Sequence, residues 1–198
     1  MADKREAKVE RTTGETSIEL ELCLDGKGQA DVETGVGFLD HMLELFARHG
    51  LFDLGIEASG DLQVDAHHTT EDVGIVLGNA FDEAMADKTG ITRFADVCLP
   101  MQESLVQVSL DVCGRSFLDF EVEFPGEQVG NFDLELVEEF VRAFVTNAGI
   151  TVHVQLIRGT NSHHIAEAVF KAMARALRAA LAIDPRAKSN VPSTKGTL

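Results

Sequence analysis

Two five-residue patterns, His67-His68-Thr69-Thr70-Glu71 and His163-His164-Ile165-Ala166-Glu167, hold four of the chain's seven histidines. Imidazole nitrogens with a carboxylate oxygen at helical spacing form the donor set of a transition-metal site. On a helix, Glu71 lies four residues from His67 and three from His68, so it can share a face with either. Adjacent histidines diverge by roughly 100° around the axis, and one helix cannot easily turn both onto one ion. The economical arrangement gives each histidine of a pair to a different metal, or sets the pair across an interface. That constraint loosens where the first residues precede the helix. His41 and His153 are further candidate ligands, and Asp40 is placed to orient the His41 ring. Six histidines and two glutamates suffice for two sites of three nitrogens and one oxygen each, with positions open for a substrate. His49, beside Gly50, is placed instead for a helix C-terminus, where a cationic imidazole is favoured. Nitrogen-rich sites suit Zn, Fe, Ni or Cu, carboxylate and open octahedral positions favour Mn, and the lack of thiolates weakens a structural zinc reading.

The elements that must position these residues read as two similar halves. In the first, 16–24 alternates as a strand, Asp25 to Gly28 makes a turn, and a second strand follows near 29–33. An amphipathic helix over 37–50 ends at Gly50, 51–59 is a strand, and 61–65 leads into the first histidine pair. The helix after it is expected to run to about Lys88 and stop at Gly90. In the second half, 104–112 and 116–124 read as a hairpin turning at 113–115, followed by a helix over 134–149 and a strand over 150–158. The helix over 161–183 carries an apolar stripe of Ile165, Val169, Phe170, Met173, Leu177 and Leu181, which reads as core. Each histidine pair follows a helix-ending glycine, Gly50 or Gly149, so the two clusters occupy equivalent places in a duplicated unit. The expected fold class is α+β: a tandem duplication of a β-hairpin/helix/strand/helix unit with the helices on one face of the sheet. The repeats span about 12–92 and 103–184 of a single 198-residue domain, and 185–198 is an irregular tail.

Composition narrows the partners. With 44% hydrophobic residues the chain can bury a full core, and no run of about 18 apolar residues marks a membrane span. The charged N-terminus lacks the apolar stretch of a secretory signal. The three scattered cysteines, without a CxxC, read as reduced thiols of a cytoplasmic protein. A net charge of −16, from 33 acidic against 17 basic residues, argues against nucleic acid or an anionic membrane as partner. It leaves room for a small anionic substrate in a cleft where a few cations reverse the field.

With FLDHMLELFARHG, DAHHTTED, NSHHIAEA and PSTKG in this order, the chain resembles the imidazoleglycerol-phosphate dehydratases of histidine biosynthesis over about residues 5–198. The resemblance implies two manganese ions per active site, with ligands from His41, His67, His68, Glu71, His153, His163, His164 and Glu167. It implies active sites between subunits of a homo-oligomer, a 24-mer shell of cubic symmetry, and βαβ units with the less common left-handed crossover. The implied reaction converts imidazole glycerol phosphate to imidazole acetol phosphate through a metal-bound imidazolate. The imidazolate expels hydroxide, and the neighbouring C–H then becomes acidic. Glu15 matches a family glutamate placed at the substrate; Glu71 and Glu167 can relay protons as well as hold metal. Arg93, Arg115, Lys171, Ser193 and Lys195 match the phosphate-binding positions, the last two making the tail a substrate-binding element. Ala66 stands where many relatives carry a second aspartate, a change expected to tune activity. The competing readings are a dinuclear metallohydrolase acting on a small phosphorylated substrate, and a non-enzymatic metal store or structural shell.

Overall fold

In the computed structural model, which describes residues 5–187 and 190–198, the two halves repeat one order of elements. The first half runs β1 (Glu6–Thr12), β2 (Thr16–Cys23), β3 (Ala30–Glu33), α1 (Gly37–Gly50), β4 (Asp53–Gly60) and α2 (His67–Met85). The second runs β5 (Phe94–Met101), β6 (Ser104–Asp111), β7 (Phe117–Glu121), the short pair β8 (Gln128–Val129) and β9 (Phe132–Asp133), α3 (Glu135–Ala148), β10 (Thr151–Arg158) and α4 (Ser162–Ala180). Apart from β8 and β9 the halves match element for element. Each repeat opens one strand earlier than 12 and 103, at β1 and β5. Residues 188 and 189 of the expected tail lie outside the described residues.

Alternation in sequence becomes a two-faced sheet. On β2, Thr16, Ile18, Leu20 and Leu22 point inward while Glu19 and Glu21 face out. On β6, Ser104, Val106, Val108 and Leu110 do the same. The strand orders β1-β2-β4-β3 and β5-β6-β10-β7 are equivalent. This corrects the expected hairpin of 104–112 with 116–124. β6 and β7 are not paired, because β10 lies between them, antiparallel to β6 and parallel to β7. The hairpins are β1 with β2 and β5 with β6. β10 buries Val152 and Val154 on its inner face, whereas β7 has no fully buried residue, so β10 takes the interior position and β7 the edge. The parallel pairs β3–β4 and β7–β10 are each joined through a helix, α1 or α3, as parallel strands require.

The helices lie against the inner faces of both sheets and bind the halves together. α2 packs on β1 and β2, α4 on β5 and β6, and across the halves α2 meets α3 while α1 meets α4. Phe46, Phe52, Phe81 and Phe144 form one ring cluster drawn from both halves, with Phe81 and Phe144 edge to face at 5.2 Å. A single apolar core results. Leu51 and Gly149, both with left-handed backbone (φ 57° and 64°), close α1 and α3 in the same way. α2 stops at Met85, short of the expected Lys88, because Ala86 and Lys88 both take positive φ and their amides turn back to Glu83 and Met85. The outer face of the first sheet is acidic: Glu19, Glu21, Asp31, Glu33 and Glu57 share a shallow groove, with Lys8 bridging Glu19 and Glu21. No helix among the described residues is long and apolar enough to cross a membrane.

Candidate metal centre

Packing of α1 on α4 brings one residue of the first half against two of the second. His41 Nε2 lies 3.0 Å from Glu167 Oε1, and His163 Nε2 lies 3.2 Å from the same oxygen. Among the described residues these three form the one group whose ligand atoms all lie within 4.8 Å of one another. The other oxygen of Glu167 accepts from Lys171 Nζ at 2.6 Å, and Met101 Sδ lies 3.5 Å from that ammonium. His163, Glu167 and Lys171 follow each other at single-turn spacing, so one face of α4 carries all three. Burial raises the Glu167 carboxyl, but Lys171, His41 and His163 outweigh it and hold it at about 2. Two imidazoles and an ionised carboxylate converging in this way fit a divalent transition metal.

The histidines of each pair separate. The rings of His67 and His68 stand at 90° and those of His163 and His164 at 84°. His67 Nε2 faces Glu71 at 3.8 Å, repeating the His163–Glu167 relation on α2. His68 turns the other way. Its Nδ1 lies 3.0 Å from Asp61 and its Nε2 3.8 Å from Glu15, and the bond to Asp61, with the charge of Glu15, raises its pKa against the effect of burial. His153, on the exposed face of β10, pairs through Nδ1 with Asp119 of β7 at 3.2 Å. Within one chain, then, His67, His68, Glu71, His153 and His164 do not complete the group around Glu167.

Two neighbours behave otherwise than expected. Asp40 accepts from the amide and hydroxyl of Thr34, at 2.9 and 2.6 Å, so it fixes the entry to α1 and leaves the His41 ring to Glu167. His49 is not at home as a cation: burial, then Lys171 and Arg175, push its pKa down. Asp65 accepts from the His67 amide at 2.8 Å, closing the start of α2 that Ala66 leaves without a side-chain cap.

Some site residues carry no motif. Glu103, in the β5–β6 turn, accepts from His164 Nδ1 at 2.8 Å. Asp72, buried one residue after Glu71, accepts from the Thr16 hydroxyl and pairs with Arg11, both at 2.5 Å. It thereby ties the turn bearing Glu15 to the helix bearing Glu71. The signal for Glu103 lay in the repeat: it directly precedes β6 as Glu15 directly precedes β2.

The cations form a second group. Arg93, held in left-handed backbone (φ 77°), grips Asp111 through two nitrogens at 2.7 and 3.1 Å. Its Nη1 donates to the Pro192 carbonyl at 2.8 Å, drawing the tail with Ser193 and Lys195 alongside. The chain end reaches Gly114, where an added Cβ would come 2.9 Å from the Leu198 carbonyl carbon. Arg115, next to Gly114, bonds only weakly to the Cys113 carbonyl, at 3.3 Å. Arg93, and Arg115 beside Gly114, thus flank the tail that carries Ser193 and Lys195, while Lys171 sits with Glu167.

Glu103 and Glu167 both lie at about 2, against an ordinary 4.5. A depressed carboxyl stabilises the fold fully above its unfolded value and ceases to do so as pH falls through its folded value. The metal-free protein should therefore lose melting temperature steadily below about pH 4.5, and Glu167→Gln should flatten that decline. A slope unaltered by Glu167→Gln would show that its bonds to Lys171, His41 and His163 carry no net stability.

The sequence profile of the imidazoleglycerol-phosphate dehydratases matches residues 34–177. The enzyme of that name from Methylorubrum extorquens is 58% identical over 98% of this chain and 100% of its own length. That from a Thermoanaerobacter species is 60% identical with the same coverage. The crystal structure of the Staphylococcus aureus enzyme superposes with a TM-score of 0.83 at 44% identity, covering 90% of this chain and 99% of the other. The Pyrococcus furiosus enzyme gives 0.82 at 36% identity over 96% and 100%. By that profile, by identities of 58–60% over nearly the full length and by these superpositions, the chain belongs to the imidazoleglycerol-phosphate dehydratase family and is, with it, a hydro-lyase.

Proposed function

We propose that this protein dehydrates imidazole glycerol phosphate to imidazole acetol phosphate, using two manganese ions per active site. The observation that carries the reading is the convergence of His41, His163 and Glu167 in a chain of this family. These three would hold one ion, and His67, Glu71, His68, His153 and His164 supply the remaining donors, brought together between subunits of a 24-mer. The incomplete donor set of a single chain supports that assembly. Bound manganese supplies Lewis acidity toward the ring nitrogens of the substrate and a template that fixes the ring.

The chain's own residues do the rest. Water is lost as a hydroxyl from the carbon bearing the ring and a proton from the next carbon, and a side chain must carry that proton. Glu15 is exposed on a turn with its carboxylate 3.8 Å from His68 Nε2 and, among the described residues, pairs with no lysine or arginine, a placement that suits it to meet the substrate proton. Glu71, which among the described residues pairs only with His67, can relay it. Glu167, kept ionised by Lys171, is suited to holding the site. Arg115 offers the phosphate a bidentate donor, Lys195 and the Ser193 hydroxyl a further charge and a hydroxyl, and Arg93 adds its charge beside them while its own fork holds Asp111. Lys171, expected as a further phosphate contact, instead holds Glu167. The enzyme acts in the cytosol.

The expected result is manganese-dependent formation of imidazole acetol phosphate from imidazole glycerol phosphate, with no release of inorganic phosphate, followed by chromatography and a phosphate assay on the same reaction. Inorganic phosphate as the main product would replace this reading with hydrolysis.

A further inference from the structure

The duplication sets a glutamate in the same place twice. Glu15 and Glu103 each end a hairpin turn, one residue before a buried hydroxyl, Thr16 or Ser104, that begins the second strand of the hairpin. Each faces the second histidine of its half's pair. The ring nitrogens they meet differ. Glu15 stands off at 3.8 Å from His68 Nε2, and Nδ1 of that ring is taken by Asp61. Glu103 lies 2.8 Å from His164 Nδ1 itself.

We infer that Glu103 is a positioning residue that fixes His164 with its proton on Nδ1, so that Nε2 presents its lone pair to metal. An ionised carboxylate accepts and cannot donate, so a 2.8 Å contact requires hydrogen on Nδ1. A neutral ring so held has one lone pair, on Nε2, the nitrogen opposite the carboxylate. Glu103 is itself anchored: Oε1 accepts from the Ser104 hydroxyl at 3.0 Å, the Asn161 amide at 3.0 Å and the Thr160 amide at 3.4 Å. Asn161 caps α4 by accepting from the amides of His163 and His164. One carboxylate thereby fixes both the backbone from which His164 springs and the tautomer of its ring. In the first half the two tasks are divided. Asp65 closes the helix start and Asp61 takes Nδ1, which leaves Glu15 uncommitted for proton transfer. The two equivalent positions thus differ in what they do, Glu103 holding His164 at Nδ1 and Glu15 standing off from His68.

This rests on the manganese reading above, and the experiment separates the two. Manganese affinity is measured by competition with a chelator on the assembled protein, for the natural chain, Glu103→Gln, His164→Gln and the double variant. A glutamine has one acceptor oxygen. Three donors claim it on the loop side, so its NH2 faces His164 Nδ1 and drives the proton to Nε2. Glu103→Gln should weaken manganese binding by roughly 10–100-fold, the usual effect of losing such a partner. The double variant should bind no more weakly than His164→Gln alone, because the carboxylate acts through that ring. Glu103→Ala, which leaves water to satisfy the loop amides, should give the same cycle if the glutamine variant does not fold. Unchanged affinity in Glu103→Gln overturns the inference. So does a double variant weaker than His164→Gln by the full Glu103→Gln factor, since the carboxylate would then act through the loop alone. A natural chain that takes up no manganese overturns the metal reading instead.

Discussion

Glu167→Gln is expected to lose turnover by roughly a hundredfold or more. It should also weaken manganese binding by at least the roughly 10–100-fold that a lost partner of a metal ligand costs. One oxygen of Glu167 collects His41 at 3.0 Å and His163 at 3.2 Å, while the other holds Lys171 at 2.6 Å. An amide of the same shape keeps one acceptor and turns a donor toward whatever faced the second oxygen. If the carbonyl stays with the histidines, the NH2 meets the Lys171 ammonium, a half-buried cation left with only the weak sulfur of Met101. If it turns to Lys171, both imidazoles lose their shared partner and the histidine of the first half separates from that of the second. Either way the negative charge that a divalent ion needs is gone. Metal analysis of the purified variant alongside initial rates tests both parts. Turnover retained within a few-fold would remove Glu167 from the active site, and turnover lost with metal retained would place it in proton transfer alone.

The two helices that carry the histidine pairs were legible because their pattern is local. The 3.6-residue period fixes that His163 and Glu167 share a face and that His163 and His164 do not, and both statements hold in space. α1 was readable to the residue, since its apolar stripe and Gly50 are also local signals. Strand order was not. Alternation marks 104–112 and 116–124 as strands but carries no record of which partner each takes, and β10, some thirty residues on, separates them. β1 and β5 escaped for a related reason: EAKVERT and FADVCLPM are edge strands with few or interrupted apolar positions, and Pro100 fits only an edge. Asp40 was misread because its neighbour in sequence, His41, points to another helix while the Asp40 carboxylate turns back to Thr34. Glu103 had no motif at all. Only superposing the two halves gives it a counterpart, in Glu15, and only the fold shows which ring nitrogen it meets.

Gly78→Val should lower the melting temperature by about 6–12 °C, and Gly78→Ala by less, with no residue of the candidate metal group touched. Gly74 and Gly78 lie one turn apart on α2 where it crosses α3. A Cβ on Gly78 would come 2.6 Å from the Phe144 carbonyl oxygen and 2.8 Å from the Asn147 Cβ; one on Gly74 would come 2.8 Å from the Phe140 carbonyl oxygen and 2.9 Å from the Ala143 Cβ. Backbone cannot rotate aside as a side chain would, so α2 must shift. In an open helix, glycine to alanine gains about 1 kcal/mol. Here that gain opposes an overpacking cost of about 1–3 kcal/mol, and the immobile carbonyl places the cost at the upper end. Alanine therefore nets about 1–2 kcal/mol of loss. Valine, bulkier and stiff at χ1, loses about 3 kcal/mol, which at roughly 2–4 °C per kcal/mol for a chain of this length gives the shift stated. Gly37→Ala is the contrast: nothing lies within 4 Å of its added Cβ, at the first residue of α1, and its melting temperature should hold or rise. Thermal unfolding of the three metal-free variants decides it. An unchanged value for Gly78→Val would mean that α2 and α3 part at little cost. The close approach would then not be what sets His67 and Glu71, at the start of α2, against the second half of the molecule.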